Sequence, residues 1–432
     1  MKHRYSILLA LLLSAAMVLP ACGTAAGQTT GSFENTTYQV SESSSGTTQS
    51  TSVLPAGSEN TVSGESSAAG SVSNATSAGD SSVSGSAGDN ANAGESSASG
   101  SSESGTFSEY FSDRDLSGEY DSGEAVTIRL NGSVAESSSG AVEVSGGNVT
   151  IRSEGTYILS GTLENGSIII DAGKEEKVQL VLDGVTVNSD TFAAIYVIQA
   201  DKVFVTLAEG SVNTLSNGGS FVQIDDNNVD AVIFAKDDLT LNGSGSLTIS
   251  SPAGHGIVGK DEVTVTGGTY EITANGHAIS GKDSIAVADG SFKLNAAKDG
   301  LHSENDDDVT KGNIYIAGGS FVITSYDDAV HANSLLQIDG GTLDISAAEG
   351  LEATYIRING GDIRIAASDD GVNAAQKSSA YTATFEMNDG TLTIEMGSGD
   401  TDAVDSNGNL IMNGGTINIT GNSSFDCDGS VQ

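Results

Sequence analysis

The chain has 432 residues, with 55 Gly, 3 Pro, no Trp and 2 Cys, and a formal net charge of −40 at pH 7. That charge repels nucleic acids and anionic lipid headgroups, so a nucleic-acid role is excluded. Two cysteines are too few for a disulfide framework, and no Cys/His cluster has zinc spacing. The charge is uneven: residues 23–108 hold eight acids and no Lys or Arg, leaving 49 acids against 15 bases, a net of −34, in residues 109–432.

Lys2, His3 and Arg4 precede an apolar run from Ile7 to Leu19 that only Ser14 interrupts. The run is short for a membrane span and has the layout of a secretory signal. It ends in Leu19-Pro20-Ala21-Cys22 followed by Gly23, which resembles a bacterial lipobox. Residues 1–22 therefore read as a lipoprotein signal peptide with Cys22 as the lipidated residue. This places the chain on the extracellular face of a bacterial cell membrane, held there only by lipid, or secreted if Cys22 is not modified. Residues 23–108 are rich in Ser, Gly, Ala, Thr and Asn. They lack the apolar surface to offset chain entropy and read as a disordered linker.

From residue 109 the chain repeats itself. A unit of Gly-Gly-Thr/Ser followed by apolar–polar–apolar residues recurs at Gly267–Ile272, Gly318–Ile323, Gly340–Ile345 and Gly414–Ile419, with close variants between them. A small residue followed by an apolar one marks each period, at Ala194, Ala231, Gly256, Ala278, Gly300, Ala329, Gly350, Gly371, Ala403 and Ser424. The steps between these are 37, 25, 22, 22, 29, 21, 21, 32 and 21 residues. With a third short alternating stretch between the units, each period carries three strands. Such a period predicts a solenoid, and three strands with Gly at the turns predict an all-β parallel β-helix. Its hand is expected to be right, as strand–crossover–parallel-strand connections are. The long steps place extra loops at Ser216–Val229, Asn305–Gly312 and Gln376–Tyr381. Residues 109–215 read as an N-terminal cap and wide coils, and 216–432 as regular coils. The sequence stops at Asp428-Gly429-Ser430-Val431-Gln432, partway through a coil, which leaves room for further coils and a C-terminal cap.

The residue before the small–apolar pair is Asp299, Asp328, Glu349, Asp370 and Asp402 in five successive coils, with Asp327 and Asp369 adding second acids. Two residues after the small position come His302, His331, Glu352, Asn373, Asp405 and Asp426. Equivalent positions in neighbouring coils of a β-helix lie about 4.8 Å apart. Carboxylates that close repel by roughly 1 kcal/mol per pair even in water. Beyond Gly312 there are 17 acids and three bases, Arg357, Arg364 and Lys377, so either acids take up protons or a divalent cation sits between them. Oxygen-only donors suit Ca²⁺, and the insert Glu304-Asn305-Asp306-Asp307-Asp308 adds further oxygens. The expected calcium ligands are Asp299, Glu304, Asn305, Asp306, Asp327, Asp328, Glu349, Asp369, Asp370 and Asp402. The alternative is a turn ladder in which these side chains satisfy backbone N–H groups. His302 and His331 occupy adjacent coils, but no third nitrogen ligand stacks with them in this reading.

The run Lys298-Asp299-Gly300-Leu301-His302-Ser303-Glu304-Asn305, with Asp327–Ala332 and Ser368–Ala374, resembles the clostridial cellulose- and polygalacturonate-binding β-helix proteins, a family of carbohydrate-binding-domain lipoproteins. The opening Phe111–Gly118 and the stretch Lys177–Gly184 are similar to that family's N-terminal part. The resemblance implies a right-handed β-helix, bound calcium, polysaccharide binding at the cell surface and kinship with polysaccharide lyases. From the stacked rows themselves, the sugar-contacting residues are expected to be His302, His331, Glu352, Asn373 and Asp405, with no catalytic residue, on a monomer. Two other functions are open. A lyase would use calcium to acidify the proton next to a uronate carboxyl and a base such as Lys298, Lys311 or Lys377 to remove it. A structural surface rod or adhesin would use the β-helix for length alone.

Overall fold

The computed structural model describes residues 34–39, 107–398 and 401–432. The signal segment, Cys22 and most of the linker lie outside the described residues. The chain winds into a parallel β-solenoid of about 11 turns, as the repeats predict.

One face shows why the sequence folds this way. Thr269–Ala274, Ser291–Ala296, Ser320–Ser325, Thr342–Ala347, Asp362–Ala367, Thr391–Met396 and Thr416–Gly421 pair each on the next, parallel and in one register. Period-two alternation turns every second side chain inward. Tyr270, Phe292, Phe321, Leu343, Ile363, Leu392 and Ile417 thus form one buried column. The rings of Tyr270 and Phe292 stack at 5.2 Å, and those of Phe292 and Phe321 at 4.5 Å. The Gly-Gly pairs make the turn into this face. Gly341, for example, has φ +93°, and a Cβ there would meet the Gly319 carbonyl oxygen at 2.7 Å. Only glycine takes this left-handed turn without strain.

The long steps are loops, between Asn217 and Ala231, Ser303 and Asn313, and Ala374 and Thr384. Antiparallel pairings Arg129↔Glu136 and Val142↔Ile151 close the N-terminal end. The wide coils follow, with a 13-residue strand at Lys177–Ser189.

Three features depart from the expectation of coil stacked on coil. Short helices at Phe107–Tyr110 and Asp113–Leu116 lie across the outer wall. Ser112 caps the second, and buried Asp115 accepts a hydrogen bond from the Thr240 hydroxyl at 2.6 Å and pairs with Lys202 at 2.8 Å. Phe111 packs on Ala286 and Tyr315. Within the expected linker, Glu34–Gln39 is a strand paired antiparallel with Thr416–Gly421, a correction for those six residues. Thr36, Thr37 and Tyr38 favour strand, and an open sheet edge is a ready template. Cys427, which the repeat spacing aligns with the buried Ser406, pairs with it in register but is only half-buried itself.

The ring column is the densest part of this core. Phe292→Ala is expected to cost about 3–5 kcal/mol, read as a drop in the denaturant midpoint. A midpoint unchanged within error would show that the column does not stabilise the coils.

Candidate functional site

Parallel register brings the two polar rows onto one face. Asp328 pairs with Glu349. His302, His331, Glu352, Asn373, Asp405 and Asp426 form an unbroken register line. Leu301, Val330, Leu351, Val372 and Val404 between the rows are fully buried, so the rows point outward together.

Part of the first row is a backbone ladder. His255 Nδ1 accepts the His277 N–H at 3.0 Å, and His277 Nδ1 the Asp299 N–H at 3.3 Å. Asp299 Oδ1 accepts the Asp328 N–H at 3.2 Å, and Asp370 Oδ1 the Asp402 N–H at 3.1 Å. Each of these side chains spends one atom on a neighbouring coil. The turn-ladder reading is thus realised, but the second oxygen of each carboxylate still faces the groove between the rows.

The middle of the groove is crowded with charge. His331 Nδ1 lies 2.7 Å from both Asp328 Oδ2 and Glu352 Oε2. Lys377 Nζ, on the Ala374–Thr384 loop, meets Glu352 Oε1 at 2.6 Å. The Asn373 amide donates to Glu349 Oε2 at 3.0 Å and to Glu352 Oε1 at 3.3 Å. Its own Oδ1 is buried and has no hydrogen-bond partner among the described residues. One oxygen each from Asp328, Glu349 and Glu352 lie within 4.8 Å of one another.

Two cations cannot neutralise this many acids. Burial, and then the charges of Glu352, Asp328 and Asp370, push Glu349 up to about 8. Burial also raises Asp328 to about 6, against its bond to His331 and with the charges of Glu352 and Asp299 adding to it. Asp405 rises to about 6 through burial and the charges of Asp370, Asp426 and Asp402. Burial would raise Glu352 too, but hydrogen bonds from His331 and Lys377 outweigh it and bring it down to about 2. The same carboxylates overcome burial at His331 and lift it to about 10. Without an added cation the row is therefore relieved by protons, held mainly on Glu349.

The structure sorts the expected ligands. Asp299, Asp328, Glu349, Glu352, Asn373 and His331 meet in the groove, and Asp370, Asp402 and Asp405 extend it. Asp327, Asp369, Glu304 and Asp306 are exposed along its rim. Asn305 is a correction. Its Oδ1 accepts the N–H groups of both Asp307 and Asp308 at 2.9 Å, and its amide donates to Asp283 at 2.6 Å, so loop closure uses up its donors and acceptors. The sequence reading missed His255 and His277. They precede Gly256 and Ala278, at the same offset as Asp299 in the next coil, so extending the count two coils back finds them. Their rings join His302 and His331 in one stack, at 4.8, 4.0 and 5.0 Å.

Beside this stack lies a cavity of about 450 Å³, lined among others by Asp230, His277, His302, Lys260, Lys282 and Lys298. A larger one, about 1010 Å³, lies under the Leu116–Ser122 segment away from both rows.

A family model described as "Carbohydrate-binding domain-containing protein" matches residues 145–401 and again 349–429. A carbohydrate-binding domain-containing protein of Acetivibrio thermocellus is 37% identical over 135 residues, 31% of this chain and 47% of that one. The chain thus spans about half the length of that curated relative. A solved structure described as a polysaccharide lyase-like protein from C. thermocellum, a gadolinium derivative, is 29% identical with TM-score 0.50, covering 56% of this chain and 94% of the other.

The raised acids set a sign for pH. A folded-state value of about 8 for Glu349 against an ordinary 4.5 means that folding takes up a proton. Its stabilising contribution is complete below pH 4.5 and lost as pH rises to about 8. In chelator, the denaturant midpoint is expected to fall between pH 5 and pH 8, and Glu349→Gln to flatten that fall. Identical slopes for the two proteins would contradict the assignment.

Proposed function

The chain belongs to the family of carbohydrate-binding domain-containing proteins, and from that membership we propose that it is a surface-anchored, calcium-dependent, non-catalytic polysaccharide-binding protein. The observation that carries this reading is the pair of adjacent register lines of oxygen donors, Asp328 and Glu349 in one and Glu352, Asn373 and Asp405 in the other. Asp328, Glu349 and Glu352 bring carboxylate oxygens close enough for one ion, and the unpartnered Asn373 Oδ1 adds a neutral oxygen beside them. Calcium takes six to eight oxygen ligands in flexible geometry, which fits such a donor set, and it would supply the positive charge that protons supply in its absence.

The ligand class follows from charge. A linear uronate polymer such as polygalacturonate is itself a polyanion and is repelled by a domain of net charge −34. A divalent cation held on the row bridges carboxylate to carboxylate and turns that repulsion into a binding contact. The stacked coils repeat the contact along the groove, as a linear chain requires. His302, His331, Glu352, Asn373 and Asp405 lie along it as the sugar-facing side chains. Attachment through a lipid on Cys22 and a long linker would present the groove at the cell surface.

A lyase needs an unprotonated base at the groove. Glu352 outweighs burial and raises Lys377 above the ordinary lysine value, and Lys311 is paired with Asp283. Both are therefore held charged, which counts against either as the base and leaves Lys298, on the wall of the histidine-lined cavity, as the candidate for elimination.

Asp328→Asn combined with Asp370→Asn is expected to reduce calcium-dependent retention on polygalacturonate to the level seen in chelator. Asp344→Asn with Glu395→Gln, two exposed acids on another face, is expected to leave retention unchanged. Loss in the second pair with retention in the first would put the site on the wrong face. Growth of unsaturated-uronate absorbance on incubation would replace binding by elimination.

A further inference from the structure

The histidine end of the groove differs in chemistry from the acidic end. His277 Nδ1 lies 3.0 Å from Asp299 Oδ2, and His302 Nδ1 lies 2.6 Å from the same oxygen. The three residues come from two successive coils and offer donor atoms within 4.8 Å of one another. We propose that His277, Asp299 and His302 form a second cation site, specific for a borderline transition ion of the zinc class and separate from the oxygen row.

The donor set and its surroundings support it. The donor set is two imidazoles and one carboxylate, which suits zinc-class ions, whereas calcium prefers oxygen alone. Tetrahedral zinc with bonds of about 2.0–2.1 Å sets its ligands roughly 3.3 Å apart, so the contacts of 3.0 and 2.6 Å to Asp299 Oδ2 would open by about 0.3 and 0.7 Å. The supporting shell is already built. Glu304 Oε2 lies 3.4 Å from His302 Nε2, in the place where a carboxylate commonly orients a metal-bound imidazole. The Asp328 N–H fixes the other oxygen of Asp299. The His277 and His302 rings now lie nearly parallel, at 4.0 Å and 17°, so one of them must rotate about its Cβ–Cγ bond to bring both in-plane lone pairs onto one ion. An ion there would displace the Asp299 N–H contact to His277 Nδ1, at 3.3 Å, and the hydrogen bond between His302 Nδ1 and Asp299 Oδ2, at 2.6 Å.

Three protein donors leave a fourth position open, as in zinc sites that accept an exchangeable ligand. His277 and His302 both line the 450 Å³ cavity, whose walls also carry Lys260, Lys282 and Lys298. The same walls carry Asp230, Glu304, Asp306 and Asp307, and Lys282 is paired with Asp307 at 2.6 Å, so the lysines are offset by acids and the open position is left to water.

The test uses Co²⁺ as an optical probe on the untagged full chain, with Ca²⁺ in excess so that the oxygen row is saturated. One Co²⁺ per chain is expected to bind with the intense visible absorption of a four- or five-coordinate ion, and equimolar Zn²⁺ to displace it. His302→Gln and His277→Gln are each expected to weaken binding more than about a hundredfold, since even outer-shell changes cost about 10–100-fold. Glu304→Gln, an exposed change with no folding risk, is expected to weaken it about tenfold. His331→Gln, between two carboxylates, is expected to change it less than about twofold. No binding, displacement by Ca²⁺, or equal loss in His331→Gln would overturn the proposal. Retention on polygalacturonate is measured on the same samples without transition metal, so a failure of the calcium reading shows separately.

Discussion

The parallel hydrogen-bond ladder is the constraint on which the rest of this structure depends. It places equivalent residues of successive coils about one strand spacing apart, near 4.8 Å, whatever their chemistry. Apolar side chains at that spacing make a continuous core, as in the column from Tyr270 to Ile417. Asparagines make a self-satisfied turn: Asn388 donates to Asn359 at 2.8 Å, and Asn413 to Asn388 at 2.7 Å. Carboxylates have no such solution. They accept but do not donate when ionised, so stacking them creates a demand for protons or cations.

The groove meets that demand differently along its length. At the histidine end, burial pushes His255 down to about 3 and lowers His277, so these rings are neutral acceptors for backbone N–H groups. At Asp299, the two histidines beside it, with His302 Nδ1 at 2.6 Å, outweigh burial and keep the carboxylate ionised. One coil further on, His331 carries a full charge between Asp328 and Glu352. Beyond Glu352, Lys377 is the base that meets the row among the described residues, and Glu349 is left to hold a proton. One scaffold thus grades its donors from nitrogen to oxygen over a few turns. Nothing but the choice of residue at two positions per coil sets that gradient.

Much of this was legible in the sequence, because register in a solenoid is written as spacing. The Gly-Gly-Thr/Ser units mark strand starts, and counting from the small–apolar pairs predicts which side chains share a row. Asp328 beside Glu349, and His331 beside Glu352, follow from that count alone. Apart from His255 and His277, which the same count reaches two coils further back, what escaped it was not periodic. The contact between Asp115 and Thr240 spans 125 residues and belongs to a strap crossing the coils from outside. The strand Glu34–Gln39 sits in a stretch whose composition reads as coil, and a sheet edge far along the chain decides its conformation. Asn305 sat among acids of the right type, yet its amide closes its own loop. Spacing predicts neighbours and cannot tell which atoms a loop has already used.

The claim at the centre of this account is that the in-register acids Asp328, Glu349 and Glu352 hold a calcium ion that a uronate polymer shares. A crystal grown with Ca²⁺ and a galacturonate oligomer, examined by anomalous difference maps, tests it most directly. The account predicts a cation peak among those three carboxylates with Asn373 Oδ1 as a further ligand, and sugar density running along the groove through an oligomer carboxylate on the same ion. A groove without a cation peak, or an oligomer bound on another face, would contradict it.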